Sequence, residues 1–231
     1  MGIILTALGW EPVDQDVREM AKNGKYVLVY PHTSTFDFIF YILYHISLQD
    51  INHKMKTPVN PRQMEQWAWL IERFGCIMVS ARDERGGGSV KKVVDELNKL
   101  DSFILLISPK GSVRKDDEWR SGFYHIAKET GAKIVAGGFD YEKKKFVFKE
   151  PFDPKDMTFE QTCILTKRLL YDITPLNVEN TEYPTLGHSY PVYPSVISND
   201  RLIIFLFTVG IVVLFIVGII IIVKQWKKRQ I

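Results

Sequence analysis

Five short apolar runs, rich in β-branched and aromatic residues, recur along the first 150 residues. They are 26–30 (YVLVY), 76–79 (CIMV), 103–107 (FILLI), 134–136 (IVA) and 146–148 (FVF). Each is too short for a helix and apolar throughout, the pattern of strands covered on both faces. Helical patterns lie between and around them, at 13–22, 35–48, 61–74, 89–100, 122–129 and 159–173. Strands alternating with helices predict an α/β body, a mixed, largely parallel sheet covered by helices. In such a sheet the loops that follow the C-terminal ends of strands carry the chemistry. Three segments fall there: 31–37, 80–88 and 108–115.

A second feature divides the chain. Residues 202–223 (LIIFLFTVGIVVLFIVGIIIIV) carry no charge and a single polar side chain, Thr208. At ~1.5 Å per residue this run is roughly 33 Å long, enough for a bilayer core of ~30 Å. The expected organisation is a body over 1–175, a linker over 176–200 and one C-terminal transmembrane helix with its basic tail in 201–231. The linker reading rests on Pro184, Pro191 and Pro194 and on a lack of helical period. The start, MGIILTALGW, has no basic region ahead of its short apolar run, so it does not read as a signal peptide. The expectation is a single-pass protein held by its tail, with the body facing the cytoplasm. The basic residues Lys224, Lys227, Lys228 and Arg229 argue the other way by the positive-inside rule.

The tail also explains the net charge of +3. Without those four residues the chain has 26 basic residues against 27 acidic ones. No basic footprint for nucleic acid is left on the body. Two cysteines, Cys76 and Cys163, exclude a disulfide framework and a cysteine-rich zinc site. The sequence specifies no oligomeric state.

The loop after the first strand reads PHTSTFDF, with His32 five positions before Asp37. Two readings stand. A carboxylate that accepts from one imidazole nitrogen fixes the tautomer and leaves the other nitrogen free to take a proton, which suits a general base near pH 7. Alternatively Ser34 and Asp37 form a capping-box variant at the start of the next helix, and His32 is a loop residue.

PHTSTFDF resembles the first motif of the glycerolipid acyltransferases, the lysophosphatidate acyltransferase group. GCIMVSARDERGGGSVKKVV, from Gly75, resembles that family's G-x-I-x-V-x-R stretch. SPKGSVRKDDEWRSGFYHIA, from Ser108, resembles its F-P-E-G-T-R-S stretch followed by a tryptophan and a G-F-Y segment. Order and spacing agree over about residues 25–150. The resemblance implies a glycerol-phosphate acyltransferase-like fold. It implies that His32 deprotonates an acceptor hydroxyl that attacks an acyl thioester, with Asp37 orienting it. The donor would be acyl-CoA or acyl carrier protein as co-substrate, with no further cofactor and no metal. The acceptor would be a lysophospholipid or a glycerophosphate, and membrane lipids the partners.

Arg82 and Arg85, beside three glycines, suit bidentate phosphate binding. They equally suit a solvated turn. The family's phosphate-binding arginine aligns with Ala81, one position before Arg82. In the third loop Gly111 and Ser112 match the family's glycine and threonine. Lys110 stands in the place of its glutamate, Val113 in that of its arginine, and Arg114 one position later. On this reading Arg82, Arg85, Lys110, Gly111, Ser112 and Arg114 form the acceptor site, with Lys110 a point charge for phosphate. The reversed charge at Lys110 leaves open an alternative: an acyltransferase fold without catalysis, binding lipid or a partner at the membrane.

Overall fold

The computed structural model describes residues 3–11, 15–34, 36–48, 51–60, 72–79, 88–111, 118–177 and 180–181. The chain forms two compact units, Met1–Gly187 and His188–Ile231, and every described residue belongs to the first. The expected span at 202–223 lies outside the described residues, as does nearly all of the expected helix at 61–74. Among the described residues no helix is long and apolar enough to cross a membrane.

The elements, in order, are α1 (Ile3–Ala7), α2 (Gln15–Asn23), β1 (Lys25–Val29), α3 (Phe36–Ser47), β2 (Met55–Val59), β3 (Cys76–Met78), α4 (Gly88–Leu97), β4 (Phe103–Ile107), α5 (Gly122–Thr130), β5 (Lys133–Asp140), β6 (Lys145–Phe148) and α6 (Phe159–Leu170). One six-stranded sheet runs in the order β3-β2-β4-β1-β5-β6. All neighbours pair parallel except the hairpin β5–β6, which is antiparallel. The mixed, mostly parallel sheet with helices is the predicted class.

Side chains alternate across the sheet and build one core on each face. Leu28, Ile104, Leu106 and Val135 pack with Val17, Ala21, Tyr41 and Tyr44 of α2 and α3 and with Leu48, just beyond α3. Val27, Val29, Leu105 and Ile134 pack with Val93, Leu97, Phe123, Ile126 and Ala127 of α4 and α5. A third cluster joins Ala136 to Leu170 and Ile173 under α6. Val27, Leu28 and Val29 are fully buried, which is why β1 reads as a continuous apolar run. The helices end on local chemistry. Gly131 closes α5 in the left-handed conformation with its N–H on the Ala127 carbonyl. Thr158 and Gln161 make a reciprocal capping box at the start of α6.

Three features depart from the sequence expectation. Helix α1 was not expected; its Leu5 and the following Trp10 join the core with α2 and α3. Strand β5 continues four residues past the expected IVA run, through Gly137 and Gly138. A Cβ on Gly137 would stand 2.5 Å from the Val147 carbonyl oxygen, so glycine here reflects the close approach of β6 and not a strand end. Strand β2 (MKTPV) was missed, because a proline inside a run argues against a central strand. It lies between β3 and β4 nonetheless. Its pairing with β4 covers only Met55 and Lys56, while Thr57, Pro58 and Val59 pair with β3. The bonds Thr57 N–H to Gly75 O and Val79 N–H to Val59 O face β3, so the missing Pro58 N–H falls on the side where β4 has already diverged.

The turn into β3 depends on Gly75. Its φ is +73°, and a Cβ would lie 2.1 Å from the Met55 carbonyl oxygen, a backbone atom of the neighbouring strand. Gly75→Ala therefore forces β2 and β3 apart as well as straining the backbone. Denaturant unfolding should show a loss of at least about 2 kcal/mol. An unchanged midpoint would mean that the turn relaxes freely.

Candidate active site

Strands β1 and β4 are adjacent and parallel, yet the chain leaves them toward opposite faces. After β1 it enters α3 on one face; after β4 it reaches α5 on the other. Two neighbouring strands with such diverging exits open a crevice at their C-terminal ends, where α/β sheets bind ligands. The ladder extends one step beyond the strands, Tyr30 N–H donating to the Ile107 carbonyl at 3.2 Å. The crevice is lined from the β1 side by Tyr30, Pro31, His32 and Thr33. Ser108, Pro109 and Lys110 line it from the β4 side, with Trp119, Asn180 and Thr181 completing the rim.

At its mouth His32 Nδ1 lies 3.0 Å from Asp37 Oδ2. A carboxylate only accepts, so Nδ1 carries a proton; in the neutral ring the lone pair is then on Nε2. The His32 side chain is 22% exposed and Asp37 only 3%. The buried carboxylate is held by four donors. Oδ2 also accepts from the backbone N–H groups of Thr33 (3.0 Å) and Ser34 (3.1 Å), and Oδ1 from the Tyr141 hydroxyl at 2.7 Å. Ser34 Oγ accepts from Phe36 N–H at the first turn of α3. The two readings of PHTSTFDF are thus not exclusive. One carboxylate oxygen satisfies the loop amides ahead of α3 and also receives the imidazole N–H. A buried charge requires such compensation.

Two residues from late in the chain complete the loop. Asn177 donates from its backbone N–H to Thr33 Oγ1 (3.3 Å) and from Nδ2 to the Thr33 carbonyl (2.9 Å). Asn180 Nδ2 donates to that same carbonyl at 3.2 Å. The first part of the expected linker is therefore bound to the body beside His32. Lys110 takes part in the same arrangement: it is 4% exposed and its ammonium donates to the Asn180 carbonyl at 2.8 Å. The charge expected to meet a substrate phosphate has a protein partner.

Of the residues singled out from sequence, His32, Asp37 and Lys110 meet at this crevice. Gly111 sits in the turn after β4, its N–H on the Ser108 carbonyl. Arg82, Arg85, Ser112 and Arg114 lie outside the described residues. His125 is an exposed residue of α5, next to Lys91 and Asp95 of α4, and takes no part. Tyr141, Asn177 and Asn180 were missed. Tyr141 had a usable signal: it follows a parallel strand that neighbours β1, once that strand is carried through its two glycines. The asparagines had none, because they reach Thr33 across more than 140 residues of sequence.

A family model for acyltransferases matches residues 13–139, more than half of the chain, from before α2 to the penultimate residue of β5. The chain belongs to the acyltransferase family, the family of the glycerolipid acyltransferases. Its general activity is acyl transfer. The comparison with curated proteins gives no match.

Burial around the site has a measurable consequence. It pushes the phenols of Tyr30, Tyr41 and Tyr141 above their ordinary range, helped at Tyr30 and Tyr141 by the charge of Asp37. It pushes the Cys76 thiol up to about 12. Below about pH 8 folded and unfolded chains both largely hold these protons, and stability depends little on them. Above it the unfolded chain releases protons that the folded chain keeps, so stability falls as pH rises. The urea midpoint at about pH 10.5 should lie below that at about pH 8; equal midpoints would contradict the burial of these groups.

Proposed function

We propose that the protein transfers an acyl group from acyl-CoA or acyl carrier protein to the hydroxyl of a glycerophosphate or lysophospholipid, with His32 as general base and Asp37 as its orienter. The observation that carries this reading is the His32–Asp37 hydrogen bond at the crevice between β1 and β4. Nε2 takes the acceptor's hydroxyl proton as the oxygen attacks the thioester carbonyl carbon. The tetrahedral oxyanion collapses and the C–S bond breaks. The imidazolium returns its proton to the leaving thiolate. Arg82, Arg85, Ser112 and Arg114, with Gly111 and Lys110, are the proposed acceptor site. The uncharged run at 202–223 supports a membrane anchor, which would bring the crevice to lipid acceptors.

A second reading, a fold that binds lipid without catalysis, is favoured by Lys110. In the position where the resemblance expects an acid, an ammonium is buried against the Asn180 carbonyl. Transfer of labelled acyl groups from acyl-CoA into lysophosphatidate separates the two. On the catalytic reading His32→Ala lowers kcat by about 10²–10⁴-fold with the unfolding midpoint little changed. Asp37→Asn also loses turnover, because an amide can present the wrong group to Nδ1. Wild-type turnover in His32→Ala would remove His32 from the mechanism.

The anchor is tested separately. The full chain should stay with membranes through alkaline extraction, and a chain lacking 201–231 should be released. Retention of the truncated chain would show that the body itself holds the membrane.

A further inference from the structure

The two oxygens of Asp37 do different work. Oδ2 gathers the His32 ring and two loop amides; Oδ1 receives the Tyr141 phenol at 2.7 Å, the shortest of the four bonds. Tyr141 lies just beyond the family match, which ends at residue 139. Its position is over-determined. Its backbone N–H donates to the Thr174 carbonyl at 2.9 Å. Its ring stands edge-on to Trp10 at 5.3 Å and to Phe40 at 5.5 Å. The phenol faces Asp37 and does not line the crevice. It is also a lasting donor: burial first, then the charge of Asp37 and the hydrogen bond itself, hold its proton well above the ordinary tyrosine range.

A strong donor on one carboxylate oxygen draws negative charge away from the other. We propose that Tyr141 is a positioning residue of the His32–Asp37 pair: its hydroxyl holds Asp37 Oδ1 and moderates the pull of the carboxylate on the His32 ring. The consequence for catalysis rests on the reading of His32 as the base. With the phenol on Oδ1, less of the carboxylate's charge lies on Oδ2, where Nδ1–H is bound. Few other ionisable groups face the ring among the described residues. Tyr30, just after β1, lies with its ring centroid 6.0 Å away, and burial pushes its phenol up. Lys110, from the β4 side, lines the same crevice. Asn177 and Asn180, which hold the adjacent Thr33, are uncharged.

Tyr141→Phe tests this in the full chain in detergent. The ring contacts with Trp10 and Phe40 survive and only the donor is lost. The acidic limb of kcat/KM against pH, measured with palmitoyl-CoA and lysophosphatidate, should move up by about one pH unit, the scale of one charge-assisted hydrogen bond shared between two groups. Activity should fall about tenfold on that limb and change little on the plateau or in either KM. A merely structural tyrosine would lower activity at every pH and leave the limb in place. The same displacement should appear without substrate, in the NMR titration of the ¹³C-labelled His32 imidazole. An unmoved His32 titration overturns the proposal. A displaced titration together with wild-type turnover in His32→Ala sustains the role of Tyr141 on the pair and overturns the pair as the base.

Discussion

A carboxylate buried to 3% exposure, with a donor on every side, is the interaction around which this end of the molecule is assembled. Asp37 stands in the first turn of α3, and its donors come from two places: His32, Thr33 and Ser34 in the loop after β1, and Tyr141 after β5. A buried charge is tolerated only when its lone pairs are filled, and breaking such a set is far more damaging than replacing it whole. The requirement therefore ties the exit of β1, the start of α3 and the end of β5 into one geometry. The catalytic histidine of the proposed mechanism inherits its tautomer from that geometry.

The sheet supplies the frame. β1 and β4 are covered on both faces, and the ladder is carried one residue past β1 by the bond from Tyr30 N–H to the Ile107 carbonyl. The loops that follow therefore begin from defined positions. Their divergence to opposite faces makes the crevice a result of chain order: β4 is placed between β2 and β1 after β2 and β3 have been laid down. On the proposed function, the base stands on one side of this crevice and the acceptor-holding loop on the other.

Asn177 and Asn180 add to this frame from late in the chain. Asn177 and Asn180 converge on the Thr33 carbonyl, and Lys110 holds Asn180 from the opposite loop. The same lysine stands where the resemblance expects an acid. An ammonium can donate to a main-chain carbonyl where a carboxylate would be repelled by it, so the exchange at Lys110 has a local physical reason in this chain.

The periodicity of the sequence by itself determined the class of the sheet and most of its strands and helices, and the spacing of PHTSTFDF offered the pairing of His32 with Asp37 as one of two readings. These are local properties: an apolar run marks a strand covered on both faces, and five residues across a strand–helix junction bring an imidazole back to a carboxylate. Only the tertiary structure decided the remaining partners. Pro58 is admitted to an interior strand because its neighbour has diverged at that point. Tyr141 reaches Asp37 across 104 residues, and Asn177 reaches Thr33 across 144. Lys110 is satisfied by a carbonyl 70 residues away. Hydrogen-bond partners at such separations leave no periodic trace in the chain, because they depend on which strand ends the fold sets side by side.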